Sequence, residues 1–557
     1  MKKKPTDNKH MLSLPAKILY GAGLFPYSIL QQTLFPLALL FAVDAMSMPG
    51  WLAGIALSMG LLAHAVCDPL ARRISDKCAS VLFGKRYGFY ILGVFLAALA
   101  NIFLWSMPPA AAAGVKFLWL ALSVTVISVL ISCMQMPYDA LGDELAGDAA
   151  ERKAIHTVKN LFFIASLAVP LILMGGLLRD SADPAGYMNL ALILSGAALI
   201  AGTAAFFTTY PHLPRLRAKT MNAEEKQAGG LSLKKLVLHY FSALKAKDGR
   251  AVLLGYCTSL MSVAFLSGTG LLFLIHTLRL PIFLAALDMG LLFLAAIGSQ
   301  FFWPRIARLR GKKHAVLAGV AVALSGILLM CAAFAAAYYF DAGFPPEGLL
   351  VPAFAVSGFG LGAVFCVPSA MLAETRKGDP DSPDAAGMLN FFYRTGQAAV
   401  VLLSGILISI FNYGGSGGDG GLIRGALGWI VLLGASLALG LSVYLFQTYR
   451  KPPKPPKQLR MSDRELRIEN GELRSKDREE TDGGQTAADG GEQQTDATDA
   501  SEPFDGQLTI DVLAAETERA EPTDAETEKA EPAEPKSVDA GTDNPEPTEP
   551  KSADAET

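Results

Sequence analysis

Twelve apolar runs of membrane-crossing length punctuate the first 448 positions, at about 18–43, 50–70, 88–107, 116–137, 160–178, 188–209, 251–275, 282–303, 315–338, 349–372, 388–411 and 425–447. A bilayer core is spanned by about 20 apolar residues in a helix. Hydrocarbon offers no partner to a backbone N–H or C=O, so each run must close its own hydrogen bonds. A closed barrel would do the same with short alternating strands, and these runs do not alternate. The pattern predicts an all-α membrane protein with twelve transmembrane helices.

The polar connections between the runs differ in charge. Lys2, Lys3, Lys4 and Lys9 precede the first run; Arg72, Arg73, Lys77, Lys85 and Arg86 follow the second; Arg305, Arg308, Arg310, Lys312 and Lys313 follow the eighth. Connections 106–114 and 339–348 carry neither Lys nor Arg. Short loops keep their basic residues on the cytoplasmic side, so both termini are expected there, in a multi-pass protein of the inner (plasma) membrane.

The pattern also repeats. Leu39-Leu40-Phe41 matches Leu271-Leu272-Phe273, Pro49 matches Pro281 and Leu52-Ala53 matches Leu284-Ala285, at one offset of about 230 residues, and nearly the same offset carries Pro137, Leu141 and Asp148 onto Pro368, Leu372 and Asp379. Two pseudo-symmetric six-helix halves are expected, which is how transporters that rock around a mid-membrane site are built. The domains read as an N-terminal segment 1–16, a first half 17–210, a basic amphipathic linker 211–250, a second half 251–448 and an acidic tail 449–557.

Composition supports this division. The chain is 52% hydrophobic and 18% charged, more apolar than a soluble domain. The net charge of −3 hides a contrast: from Asp477 onward about 25 acidic residues face about 5 basic ones, so the tail carries about −20 and the remainder about +17. The tail repeats Ala, Glu, Pro and Thr, has too little apolar surface to fold, and reads as a disordered cytoplasmic spacer that is also able to bind a partner. A short helix is possible around 462–480, after the stiff basic stretch that begins at Arg450. The six cysteines have no metal spacing and read as packing residues. Phosphate-binding glycine loops and Ser/His/Asp arrangements are missing, so neither an enzyme nor a cofactor is expected.

Three segments carry a resemblance. Lys17-Ile-Leu-Tyr-Gly-Ala-Gly-Leu-Phe, Asp68-Pro-Leu-Ala-Arg-Arg-Ile-Ser-Asp-Lys with Gly84-Lys-Arg, and Pro137-Tyr-Asp-Ala-Leu-Gly-Asp-Glu-Leu-Ala-Gly-Asp-Ala-Ala-Glu-Arg resemble the glycoside–pentoside–hexuronide:cation symporters, the melibiose-permease-like branch of the major facilitator superfamily. Phe391-Phe-Tyr-Arg-Thr-Gly-Gln-Ala is a looser match. The resemblance covers about 15–448 and implies the major facilitator fold and cation-coupled sugar uptake. It also implies cytoplasmic gating loops, here Arg72, Arg73, Asp76, Lys85 and Arg86 after helix two and Asp143, Glu144, Asp148, Glu151 and Arg152 after helix four.

The same resemblance places Asp68 in the coupling-cation site. A second carboxylate usually stands four residues earlier; here that residue is His64, one turn away on the same face. Sodium prefers several hard oxygens, whereas a His–Asp pair can hold and release a proton near neutral pH, so H+ is favoured over Na+. A structural reading stands beside it: Asp68 caps a helix end and His64 merely packs. For the substrate, Ser28 and Gln135 stand where the family has acids, Asp139 lies one turn after Gln135, and Asn160 replaces an arginine. Gln31 and Gln32 add amides able to hold sugar hydroxyls. Arg394 stands where the family has a lysine, and either anchors an anion such as a uronate or pairs with a nearby acid. The expected activity is cation-coupled symport of a sugar, glycoside or uronate; export of a lysolipid-like amphiphile and a non-transporting sensor or tether acting through the tail are the alternatives.

Overall fold

In the computed structural model the described residues are 12–77, 86–214, 238, 240–242, 244–339, 347–375, 385–411 and 420–450. They belong to the first of two units, Met1–Thr509; the second, Ile510–Thr557, lies outside them, as do the expected helix at 462–480, Lys85 and most of the linker.

Twelve helices among the described residues are long and apolar enough to cross a membrane. They are α1 (Leu14–Ala45), α2 (Gly50–Lys77), α3 (Tyr87–Trp105), α4 (Ala113–Leu145), α5 (Ala149–Leu177), α6 (Pro184–Thr209), α7 (Lys247–Thr277), α8 (Ile282–Ser299), α9 (Lys312–Tyr339), α10 (Gly348–Thr375), α11 (Ala385–Ile410) and α12 (Gly420–Thr448). An even number of spans brings both bundle ends to one face, the terminal face; the opposite one is the far face. A short helix, Trp303–Arg310, joins α8 to α9.

Two boundaries differ from the apolar pattern in ways that matter. The segment from Pro137 to Leu145 is the last part of α4, and Arg72, Arg73 and Asp76 lie within α2, so both expected gating loops begin as helix. Apolar runs mark only the part of a helix that meets lipid, while backbone hydrogen bonding carries the helix on through polar turns. The second motif then ends in a capping box: Asp148 Oδ1 accepts from Glu151 N, and Glu151 accepts from Gly147 N and Leu12 N, each at 2.6 Å. Glu151 is buried by this and ties the chain's start to α5.

The resembled motifs also lock onto each other. Tyr20 donates to the Tyr138 carbonyl (2.8 Å) and Tyr138 donates back to the Tyr20 carbonyl. Tyr90 donates to Gly23 O (2.7 Å), and the three rings stack with centroids 4.2–4.6 Å apart. Three helices of the first half are thereby fixed at the terminal-face side of the core.

The internal repeat is visible in backbone geometry. The π-helical segments Phe41–Ala45 and Phe273–Thr277 end α1 and α7. Each is closed by equivalent hydrogen bonds, Met48 N to Ala42 O (2.8 Å) and Leu280 N to Leu274 O (3.0 Å). Among the described residues the two non-glycine residues with positive φ, Ser47 (49°) and Arg279 (54°), follow at corresponding places. Left-handed backbone is rare for such residues, so its occurrence at both sites marks one turn used twice.

The halves meet tightly at the far face. A methyl added to Gly54 of α2 would stand 3.0 Å from the Gly405 Cα of α11. Ser58 Oγ donates across this seam to Ala398 O (2.9 Å), and Trp51 N donates to Ser409 Oγ (2.8 Å). In the second seam a methyl on Gly175 of α5 would stand 2.9 Å from the Ala286 Cβ of α8. Without a hydrophobic drive between helices in lipid, small residues that admit close backbone packing hold such seams.

Candidate functional site

Toward the terminal face the halves separate around a cavity of about 260 Å³. α1 presents Tyr27, Gln31 and Gln32; α4 and α5 present Gln135, Asp139 and Lys159; the second half answers with Tyr256, Gln300, Asn390, Tyr393, Arg394 and Gln397. Gln31 Oε1, Gln32 Nε2 and Gln135 Oε1 are buried without a hydrogen-bond partner. A polar atom left unpaired in a protein interior costs about 1–3 kcal/mol, and these three stand beside one cavity, where a polar group or water entering it would complete their bonding.

Arg394 sits at the floor, 3% exposed. Its Nη2 donates to Tyr27 Oη (2.9 Å), its Nη1 to Gln397 Oε1 (3.3 Å), and its guanidinium lies 5.2 Å from the Tyr393 ring centroid. Nε has no partner. Its hydrogen-bond and ring partners are thus neutral, while the Asp68 carboxylate is near enough for the two charges to interact, so an anion in the cavity would share the guanidinium with Asp68. Lys159, the other cation of the wall, is paired with Asp139 at 2.9 Å. Both residues also line a second cavity of about 320 Å³ toward the terminal face, together with Asn390 and Asp68.

Asp68 lines the second cavity and His64 lies one helical turn away, and both are buried within the bundle, with 0% of His64 and 6% of Asp68 exposed. His64 Nε2 is 3.4 Å from Asp68 Oδ1, an ion-pair distance without hydrogen-bond geometry, and neither ring nitrogen has a hydrogen-bond partner. Ser132 Oγ of α4 donates to Asp68 Oδ1 (2.7 Å). Arg394 is close enough for its charge to act on both. A buried carboxylate, an imidazole and a fixed cation form a coupled set in which adding one proton changes every pairwise interaction.

The structure brings most of the expected residues together, with two departures. Ser28 does not line the cavity; it is fully buried and its hydroxyl returns to Leu24 O of its own helix at 2.9 Å. Asn160 lies in α5, and its side chain is outside the described part. Asp148 and Glu151 cap a helix, whereas Arg86 bridges to Glu144 (3.1 Å) and Ser75 (2.6 Å), and Asp143 pairs with His156 (2.8 Å) and Arg152 (3.6 Å). The side chains of Arg72, Arg73 and Asp76 are not among those described. Sequence reasoning missed Gln300, Asn390, Gln397, Tyr256 and Tyr393. An amide inside an apolar run was the available signal for Gln300 and Gln397.

A sequence profile for MFS/sugar transport proteins matches residues 19–449. The inner membrane symporter YicJ of Escherichia coli (strain K12) is 23% identical over 202 residues, 36% of this chain and 44% of that protein. Sodium-dependent lysophosphatidylcholine symporter 1 of Xenopus tropicalis is 25% identical over 147 residues, 26% and 28% of the respective chains. The chain thus spans under half the length of these two relatives. Among solved structures, the nucleoside transporter NupG superposes with a TM-score of 0.55 at 16% identity, covering 77% of this chain and all of that one, a likeness of fold.

Proposed function

The chain belongs to the MFS/sugar transport protein family, and from that premise, which makes it a membrane-embedded secondary transporter, we propose that it imports a sugar, glycoside or uronate by proton-coupled alternating access. The observation that carries the reading is the cavity between the halves, where three unpartnered amides and the neutral-partnered Arg394 converge. Amides and tyrosine hydroxyls match sugar hydroxyls, and an arginine with a free edge matches a carboxylate.

The Lys/Arg distribution orients the terminal face to the cytoplasm of an inner membrane, so the cavity opens inward and the sealed seam faces outward. His64 and Asp68 supply the coupling site. An imidazole is a poor sodium ligand and a good proton carrier, and burial of the pair forces its charge state to follow the state of the cavity. The helical ends around Arg86–Glu144 and Asp143–His156 act as inner gating contacts, and Asp139–Lys159 as the lip of the cavity. The tail serves as a spacer that transport does not require.

A second reading has its own support: Phe35, Phe163, Phe293 and Phe365 also line the cavity, and some relatives are lysophosphatidylcholine symporters. Thermal unfolding of the purified protein separates the two, because a ligand of the folded state raises the unfolding temperature. Glycosides and uronates should raise it, more at acidic pH and equally with or without sodium. A rise with lysophosphatidylcholine alone, dependent on sodium, would replace the sugar reading.

A further inference from the structure

On the far face His276 Nε2 lies 2.6 Å from Asp44 Oδ2. The two residues are 232 apart, the spacing that relates Leu39 to Leu271 and Ser47 to Arg279. They are therefore repeat mates: each sits in the π-helical segment that closes its half's first helix, and they meet where the two halves abut. The repeat brings one position to itself across the pseudo-twofold axis, and the chain fills it with an acid on one side and an imidazole on the other.

This pair is distant from the coupling site and plays no part in it. Asp44 is 5% exposed at its side chain, while His276 is 36% exposed and lines an open cavity of about 580 Å³ on the far face. Among the described residues the surroundings carry both signs, with Arg179 directly before Asp180 in the loop between α5 and α6. Asp180 lines the same cavity and Asp183 caps α6 nearby. Arg279 follows His276 on its own chain, and Lys116 of α4 is engaged with the Met46 carbonyl (2.7 Å), where it pins the end of α1. Among the described residues α11 contributes Ile408 and Ser409 to the cavity, neither of them charged.

We propose that Asp44 and His276 form a proton-sensitive latch, which holds the far face shut when the medium on that side is acidic. Protonated, His276 makes a charge-assisted bond to Asp44 and is attracted to Asp180; both attractions span the seam that must part for the site to face outward. Neutral, it keeps a plain hydrogen bond to Asp44 without the charge assistance. Opening separates the partners, so the sign is fixed: acid favours the closed far face and alkali releases it. The inference rests on alternation between two faces, and not on the identity of the substrate or coupling ion.

Spin-label distances in lipid nanodiscs test it, with labels at Ala112→Cys and Gly348→Cys, exposed positions at the far-face ends of α4 and α10, in a chain whose six native cysteines are replaced. Between about pH 8 and about pH 6 the ratio of short to long distances should rise roughly threefold or more, consistent with a partly exposed pair gaining a charge. His276→Gln and Asp44→Asn should each flatten this dependence, and His276→Arg should hold the short distance at both pH values. Two populations whose ratio ignores pH, or depends on it equally in wild type and His276→Gln, would overturn the latch alone. A single distance under every condition would overturn alternation and the latch together.

Discussion

The two halves share a backbone and divide the chemistry. Positive-φ turns, π-helical segments and their closing hydrogen bonds recur 232 residues apart, yet the same step takes Asp68 to Gln300 and His64 to Ala296. A step of 231 takes Lys159 to Asn390 and Phe163 to Arg394. The repeat preserves what alternation needs, matched helix ends that fold around a common axis. It does not preserve charge: Asp68 of the first half corresponds to the neutral Gln300 of the second, and Arg394 of the second to Phe163 of the first.

The sharpest way to break the comparison is Asp68→Asn. It should abolish concentrative uptake in proteoliposomes while leaving substrate exchange measurable, whereas Gln300→Ala, at the repeat mate, should weaken substrate binding and leave accumulation coupled. Equal loss of coupling at both positions would remove the division of roles. Next in size, Arg394→Gln should lower the affinity for a carboxylate-bearing sugar about tenfold to a hundredfold, since a charge-assisted bond is worth about 1.5–3 kcal/mol. Binding of a neutral glycoside, measured by calorimetry, should change far less.

The seam offers a smaller effect. Gly405→Val places a side chain against Gly50 and Gly54, and overpacking of this kind costs about 1–3 kcal/mol. The far-face distance should lengthen and the unfolding temperature fall; a wild-type distance distribution would show that the glycine contact does not hold the seam. Smallest, Asp148→Ala removes the cap of α5 and should cost about 1 kcal/mol of stability in a denaturation series, with affinity unchanged. A loss of transport larger than the loss of folded protein would return Asp148 to a gating role.

The chain's own pattern determined the twelve spans, the repeat and the identity of the working helices, because each follows from a local rule: a segment in lipid must be apolar and must bond its own backbone. The resemblance marked Asp68, His64, Gln135 and Arg394, each of them a polar group inside an apolar run. Where the polar turns continue as helix, as in α2 and from Pro137 to Leu145, the rule has no purchase, and the resembled motifs read as loops. Only the tertiary structure decided that Ser28 turns back on its own helix, that Glu151 caps α5, and that Gln300, Asn390 and Gln397 join the cavity. Packing also decided which of Arg394's neighbours are neutral, and that Asp44 meets His276 across 232 residues. Such facts depend on which faces of distant helices come together, and a side chain's direction in a bundle is set by its neighbours, not by its place in the chain.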